Sequence, residues 1–195
     1  AVRERKTMSI GIPSGTAFTR RLFQRLNEKP LRDDLGFYFA IVIAASVLFM
    51  MLPLLTGKEP EIDGMHRIGF MVAGILISLV WGLITGAVAL LAVSLVEHFF
   101  LLFVDVHREF EQTMKSAIYA LSPFILFSWA VFLVTNPFAG LLLLICFCLL
   151  TYLGVRVFHE KSEDRAAFAA LATGAVLAIY LHRWLLDPVL VLLSS

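Results

Sequence analysis

Forty consecutive residues of this chain, 116–155, include no charged side chain. About twenty helical residues cross the hydrocarbon core of a bilayer, so this run is long enough for two membrane-spanning helices. The turn signal Asn136-Pro137 divides it into a span over about 116–134 and another over 138–158. Because 59% of the 195 residues are hydrophobic, the chain predicts a polytopic membrane protein rather than a soluble domain.

Two more apolar runs, one near each end of the chain, predict the first and the last span. Residues 36–55 include no charge and have the length of one crossing. Residues 166–185 follow a charged segment and are charged only near their end, at His182 and Arg183. Both runs therefore predict single membrane-spanning helices.

The apolar run 68–104 allows two interpretations. It is interrupted only by Glu97 and His98, and as one helix its 37 residues would reach about 55 Å. That length is too great for one upright span. The run is therefore either a tight hairpin or one span, over about 68–100, whose end continues along the interface or beyond it.

The distribution of Lys and Arg decides between these two interpretations. With five spans and the amino terminus inside, the inside segments 1–34, 105–115 and 156–165 hold 13 of the 16 Lys and Arg residues. With a hairpin the division is nine against seven. Cytoplasmic segments of membrane proteins carry the excess of these residues. The sequence thus predicts an all-α, five-span protein of the cell membrane, with a cytoplasmic amino terminus and the carboxyl terminus outside.

The segment before the first span is basic. Residues 1–34 carry eight Lys or Arg residues against four acids, and they are predicted to form a cytoplasmic segment ahead of a membrane domain over 35–195. Apolar side chains recur there at helical spacing, with arginines on other faces. The apolar positions are Phe18, Leu22, Phe23 and Leu26, and the arginines are Arg20, Arg21 and Arg25. The pattern predicts a short amphipathic helix, which either lies on anionic lipid headgroups or packs on the protein's own cytoplasmic face.

Small residues recur every four positions in two of the predicted spans. They are Gly82 and Gly86 in the second span, and Ala166, Ala170, Gly174 and Ala178 in the last. Such spacing permits close approach of helices in membranes. These positions predict helix packing within the chain, and contact with a second membrane protein is the alternative.

Ionisable side chains cluster where the second span is predicted to end. They are Glu97, His98, Asp105 and His107. On one continuous helix His98 and Asp105 share a face, with Glu97 nearby, so the group could bind a metal ion or relay protons. Their spacing matches no known ligand signature, and such residues are ordinary where a helix leaves the membrane. Interfacial hydrogen bonds, or salt bridges with Arg108 or Lys115, are therefore favoured, and no metal site is predicted.

Neither haem nor a disulfide is predicted. His66, His159 and His182 fall in predicted loops or at span ends, so no two of them face each other at mid-membrane depth. Cys146 and Cys148 are two residues apart and point to different sides of a helix, too far apart for an unstrained bond. No cofactor is predicted.

A proline lies inside the third predicted span. Pro123 removes the backbone hydrogen bond to the Tyr119 carbonyl, and the hydroxyl of Ser122 is a candidate to satisfy that oxygen. This arrangement predicts a kink with a local polar patch just inside the cytoplasmic boundary. It is either a bent helix alone or a contact site for a ligand or partner.

Several functional classes lack their sequence signals. The chain has no glycine-rich phosphate loop and no nucleophile elbow, so no enzyme is predicted. A net charge of +1 gives no reason to expect nucleic acid as a partner. The charges also avoid the predicted spans, which argues against a channel or pump. The predicted partners are the lipid bilayer and other membrane proteins, in a hetero-complex or a homo-oligomer.

Several motifs together resemble one known family. They are the start TAFTRRLFQRLNEKP, His98 at the end of the second span, Phe110 with Gln112 and Thr113, the YALSP motif at Tyr119 to Pro123, and the closing GVRVFHEKSEDRAAFAAL. From about Phe18 to Arg183 the chain is similar to the Yip family of integral membrane proteins, whose eukaryotic members interact with Rab-type GTPases. The chain has Asp105-Val106-His107-Arg108 where the family often has Gly-Gly, and it lacks the acidic-aromatic-Gly-Pro motif of eukaryotic members. The resemblance implies a protein of the prokaryotic type.

Three functional hypotheses follow. The first is a non-enzymatic scaffold or adaptor whose cytoplasmic contact surface is the basic helix 14–29 and the loop 105–115. The second is an accessory subunit of a larger membrane enzyme or transport complex, docked through the small-residue positions. The third is a small carrier or lipid-handling protein that uses the kink at Tyr119 and Pro123, and it would need a polar cavity between the second and third spans.

Overall fold

The computed structural model describes residues 29–56, 64–104, 109–133, 138–159 and 162–182. Within these ranges the chain has five helices and no strand, so the predicted all-α class is confirmed for them. The helices are α1 (Leu31–Thr56), α2 (Gly64–Phe103), α3 (Phe110–Leu133), α4 (Phe138–Phe158) and α5 (Glu163–Tyr180). The amphipathic helix predicted around Arg20, Arg21 and Arg25 lies outside the described residues.

The long run of the second span is one helix and not a hairpin. α2 continues for 40 residues without interruption. It contains no proline, and its apolar stretch Val72–Phe103 covers 32 residues. A helix of 32 residues is about 48 Å long, which exceeds one upright crossing. Its last turns therefore carry Glu97 and His98 as part of a continuous helix.

Four of the described helices, α1 to α4, are long and apolar enough to cross a membrane. This finding makes the chain a multi-pass membrane protein. The four stretches are Leu31–Leu52, Val72–Phe103, Phe110–Val131 and Phe138–Phe158. The fifth predicted span corresponds to α5, which falls outside this group because it has 18 residues and begins with Glu163, Asp164 and Arg165.

The outward faces of the helices carry large apolar side chains. Trp81 is 67% exposed, Phe103 is 69% exposed and Leu142 is 68% exposed. A soluble protein rarely exposes contiguous apolar surface on this scale, whereas lipid tails solvate it without cost. These faces are the surface that contacts the bilayer.

Helix α3 is packed against α1, α2 and α4, and α5 lies against α4 and α2. One apolar core joins the first four helices around Tyr38, Ile118 and Phe147. A second, smaller core joins α2, α4 and α5 through Leu101, Val155, Ala166 and Ala169. The two cores place α5 against the bundle rather than apart from it.

The small residues lie where helices approach most closely. Gly82 lies against Ser46 of α1, and a Cβ atom at Gly86 would be 2.9 Å from Val42 Cγ2. The Tyr38 hydroxyl also donates a hydrogen bond of 2.8 Å to the Gly86 carbonyl oxygen. In α5, Gly174 lies against Cys148 of α4. Ala166 and Ala170 are buried, and Ala178 is half-buried.

Two contacts show that three connections emerge at one end of the bundle. The Lys115 ammonium reaches the Lys29 carbonyl oxygen, which joins the start of α1 to the start of α3. The Thr113 hydroxyl lies near the His159 ring, which joins the start of α3 to the end of α4. We call the end that carries Lys29, Val104, Glu109, His159 and Ser162 the charged end. Helices α2 and α4 run toward it, and α1, α3 and α5 run away from it.

Candidate functional site

The first turn of α1 is tied to α3 by a buried carboxylate. Asp34 is only 2% exposed, and the Tyr119 hydroxyl donates a hydrogen bond to its Oδ1 atom. The amino-terminal end of a helix favours a negative charge, which supports a carboxylate at this position. Tyr119 also packs between two rings, with centroid distances of 6.1 Å to Phe37 and 6.2 Å to Phe158. Tyr119, a predicted contact residue, is thus a link between three helices.

One turn earlier on α3, a buried lysine makes a second link to the start of α1. Lys115 is 5% exposed, and its ammonium donates a hydrogen bond of 2.7 Å to the Lys29 carbonyl oxygen. Glu111 Oε1 lies 3.4 Å from the same nitrogen. We call Lys29, Asp34, Glu111, Lys115 and Tyr119 the anchoring cluster. Asp34 was missed by sequence reasoning, although it is the last charge before the first long apolar run.

The Ser122 hydroxyl, next to Pro123, does not form the predicted hydrogen bond to the Tyr119 carbonyl oxygen. Ser122 is buried, and its Oγ atom donates a 2.7 Å hydrogen bond to the Ile118 carbonyl oxygen, not to that of Tyr119. A serine hydroxyl on a helix reaches the carbonyl four residues earlier, and for Ser122 this is Ile118. The predicted compensation for Pro123 is therefore wrong, and α3 continues through the proline to Leu133.

His98 is paired across the bundle rather than with a charged loop. Its Nδ1 atom lies 3.1 Å from Thr113 Oγ1, and its ring stands edge-on to Phe110 at 5.4 Å. Thr113 Oγ1 also lies 3.4 Å from Nε2 of His159, which is 1% exposed. The Thr113 hydroxyl of α3 thus lies between the imidazole of His98, in α2, and that of His159, the residue that follows α4. Asp105, His107 and Arg108, the other predicted members of this site, lie outside the described residues.

Glu97 contradicts two expectations from the sequence. It is 0% exposed, and its carboxylate faces the Ser116 hydroxyl of α3. The predicted interfacial pairing with Lys115 is wrong for this side chain, because Lys115 reaches toward α1 instead. The expectation that charges avoid the spans is wrong as well. α2 continues to Phe103, so Glu97 is still inside the bundle where the sequence suggested an exit.

A cavity of about 680 Å³ opens between α1, α2 and α3 in the half of the bundle away from the charged end. Most of its lining is apolar, including Phe49, Trp81 and Phe124. Its side-chain hydroxyls come from Ser46, Ser78, Thr85 and Ser128. Neither Tyr119 nor Pro123 lines it, so it is not the polar cavity at the predicted kink that a carrier would need.

Comparison with known proteins assigns the chain to a family through one match. A family model described as the Yip1 domain matches residues 17–183, which is most of the chain. The chain belongs to the Yip1 domain family. No curated protein and no solved structure matches the chain. The resemblance read from the YALSP motif and its neighbours is thereby confirmed at the level of the family.

The matched region of this Yip1-domain protein covers all five described helices. Among the described residues, no three His, Cys, Asp or Glu side chains come together as a metal site would require. The polar residues that do converge are the anchoring cluster and the Glu97, His98 and His159 region, all near the charged end. Chemically, the anchoring cluster holds the start of α1, from Lys29 to Asp34, against α3.

Proposed function

We propose that this Yip1-domain protein is a non-enzymatic membrane scaffold that holds protein partners at its charged end. The observation that carries the proposal is the anchoring cluster. Lys115 and Tyr119 hold Lys29 and Asp34 of the α1 start on α3. Lys29, the residue that follows the basic segment in the sequence, is therefore held at a fixed point beside the start of α3.

This arrangement supports a composite contact surface. Two segments flank this part of the bundle in the sequence: residues 14–29, with Arg20, Arg21 and Arg25, precede α1, and residues 105–109, with Asp105, His107 and Arg108, precede α3, so the predicted loop 105–115 is shortened by the first residues of α3. A partner that bridges the two segments would bind a surface of defined geometry, and pre-organisation of this kind raises affinity. His98, Ser122 and Pro123 act behind this surface, as packing residues and not as contacts.

The charge distribution supports an orientation. The segments at the charged end hold 13 of the 16 Lys and Arg residues, and this excess favours the cytoplasmic side of the cell membrane. In this orientation the amino terminus is cytoplasmic. α5 is the proposed fifth span: its 18 residues are about 27 Å long, and it is buried along α2 and α4. The carboxyl terminus is then outside.

The alternative function, an accessory subunit docked through small residues, has less support. Gly82 and Gly86 already contact α1, and Gly174 already contacts α4. Ala166 and Ala170 are buried as well. Helices of the same chain occupy these positions, so a docked subunit would have to use other faces.

The test is co-purification from native membranes in mild detergent, with wild type compared to matched charge reversals. Reversal of Arg20, Arg21 and Arg25 to Glu is expected to remove partners that wild type recovers in stoichiometric amount. The control reverses Arg67, in the first turn of α2, and Lys58, which precedes α2 in the sequence. Recovery of the same partners with both reversed proteins would contradict the proposed contact surface.

The orientation is tested separately by labelling single cysteines in a variant that lacks Cys146 and Cys148. A cysteine at position 28 is expected to react only with a reagent that reaches the cytoplasm, and one at position 58 only from outside. A cysteine at position 190 that reacts only from the cytoplasm would show that α5 does not cross.

A further inference from the structure

The side-chain hydroxyls in the cavity between α1, α2 and α3 are already bonded to the backbone. Those of Ser46, Thr85 and Ser128 donate to carbonyl oxygens of their own helices at 2.7 to 2.8 Å. The Ser78 hydroxyl donates to the Ser46 carbonyl oxygen at 3.2 Å. None of the described lining residues carries a charge. The wall therefore favours an apolar ligand over a polar one.

The cavity is continuous with the surface that contacts lipid. Trp81 and Thr85 line it, and both are exposed on the outer face of α2. Ala45 and Gly86 line it as well, and both are buried between helices. The wall thus runs from the interior of the bundle to its lipid-facing surface. A molecule of the bilayer can enter from the side without passing through water.

The length of the cavity matches one leaflet of a bilayer. On α2 its lining extends from Ser78 to Ala89, which is about 16 Å along the helix axis. Half of a hydrocarbon core of about 30 Å is about 15 Å. On α1 the lining extends from Val42 to Phe49, in the second half of the apolar stretch Leu31–Leu52. The cavity therefore lies in the leaflet opposite the charged end.

The size of the cavity decides what can fill it. A wall without neighbouring atoms loses dispersion contacts, and a buried water needs two to four polar partners, which a mostly apolar wall does not supply. A helix of a second protein, about 10 Å across and 16 Å long, would occupy about 1,250 Å³. This is nearly twice the 680 Å³ of the cavity. A single hydrocarbon chain is much thinner than a helix, and the bilayer supplies such chains at the opening.

We propose that this cavity binds one acyl chain of a membrane phospholipid, from the leaflet opposite the charged end. The chain lies along α2 with its methyl end near Ala89, and the headgroup stays at the surface of its own leaflet. Recognition depends on apolar contact and length. Since no described lining residue is charged, binding is independent of the headgroup.

The bound chain completes the packing of α1, α2 and α3 in this half of the bundle. It is a resident lipid chain, so the inference requires no transport path. The inference does not rest on the scaffold function, because the cavity lies away from the charged end and from the proposed contact surface. Failure of one proposal leaves the other intact.

The experiment is native mass spectrometry of the full-length protein, extracted from membranes in mild detergent. One phospholipid per chain is expected to survive a delipidating wash that removes the others. Ala45→Phe places a ring in the cavity and should lose most of this phospholipid. The matched control is Ala44→Phe, the same change at a neighbouring residue that is exposed on α1 and does not line the cavity. It should retain the phospholipid as wild type does.

A second pair of variants covers the case in which Ala45→Phe does not fold. Ala89→Phe fills the inner end of the cavity from α2, and Ala92→Phe makes the same change at an exposed position of that helix. Absence of a retained phospholipid from wild type would overturn the proposal. Equal retention by a cavity variant and its control would also overturn it, since the phospholipid would then bind elsewhere.

Reconstitution separates the acyl chain from the headgroup as the recognised part. Delipidated protein is incubated with vesicles of phosphatidylcholine or of phosphatidylglycerol that carry the same acyl chains. Retention of one phospholipid from either vesicle is expected. Retention from only one of them would overturn recognition through the chain, because the two lipids differ only in the headgroup.

Discussion

The two halves of the bundle are held together by different means. Near the charged end, buried polar groups link helices: Tyr119 to Asp34, Lys115 to Lys29, and His98 through Thr113 to His159. In the other half, α1 and α2 meet through Gly82 and Gly86, and a cavity of about 680 Å³ remains beside them. The Tyr38 hydroxyl and the Ser78 hydroxyl also donate hydrogen bonds there, to the carbonyl oxygens of Gly86 and Ser46. The charged half is thus held by buried polar side chains from several helices, and the other half by close contact and fewer hydrogen bonds, with space left beside them.

This difference shows how an apolar chain obtains a defined packing. Lipid is as apolar as the helix surfaces, so burial of apolar area alone gives little preference for one arrangement of helices over another. A buried hydrogen bond requires one partner at one distance, and a wrong arrangement leaves both groups unpaired. The charged end can therefore set the register of the helices, and the other half can tolerate variation.

The largest expected effect is at the contact between α3 and α4. A Cβ atom at Gly154 would lie 3.0 Å from Ser116 Cβ and 3.3 Å from its Cα, so Gly154→Ala must push the two helices apart. The free energy of unfolding should fall by about 3 kcal/mol, as for other overpacked cores. Unfolding in a denaturing detergent measures it.

Gly36→Ala is the matched control for this substitution. Nothing lies within 4 Å of a Cβ atom at Gly36, and alanine is the better helix former by about 1 kcal/mol. No loss of stability is expected. If Gly36→Ala and Gly154→Ala lowered the free energy of unfolding equally, the close contact between α3 and α4 would not be a special source of stability in the charged half.

The next effect in size is at the anchoring cluster. Tyr119→Phe removes the hydrogen bond to Asp34 Oδ1 and leaves a buried carboxylate with one fewer donor, so stability should fall by about 2 kcal/mol. Asp34→Asn and the double variant complete a mutant cycle by the same measurement. Coupling of more than about 0.5 kcal/mol is expected for residues in contact. Additive effects would mean that the two side chains do not bind each other.

A smaller effect is expected at the hydroxyl between the two imidazoles. Thr113→Val keeps the shape of the side chain but removes the bonds to His98 Nδ1 and His159 Nε2. The expected loss is about 1 kcal/mol. Thr113→Ser, which keeps the hydroxyl, is the control and should retain most of the stability. A serine variant as unstable as the valine variant would assign the effect to packing instead.

The helices could be predicted from the sequence because the length and the charge of an apolar run can be read without knowing its tertiary contacts. The apolar run 116–155 divides into α3 and α4 at the predicted turn, and both the family and the multi-pass membrane class follow from local pattern. Burial of Glu97 could not be predicted in this way. Its position depends on where α2 ends and on which face meets α3, and both are set by tertiary packing.

The anchoring cluster could not be predicted from the sequence for a related reason. Tyr119 and Asp34 are separated by 85 residues, and a single sequence gives no sign that the two meet. Asp34 reads as one more charge in a basic segment, and Lys115 as an ordinary residue of a cytoplasmic loop. Only the packing of α1 on α3 turns them into partners. The family motif drew attention to Tyr119 but did not disclose its role.

The smallest expected effect tests the comparison of the two halves directly. Ala45 and Ala117 are both buried, at 3% and 0% exposed, but Ala45 lines the cavity and Ala117 lies in the core that joins four helices. Ala45→Leu adds apolar volume where space exists, so the free energy of unfolding should change by less than about 0.5 kcal/mol. Ala117→Leu adds the same atoms where there is none, and should lower it by about 3 kcal/mol. Both are measured by unfolding in denaturing detergent. A large loss of unfolding free energy from Ala45→Leu would mean that the half with the cavity is packed as tightly as the charged half. The proposed difference between the two halves would then be wrong.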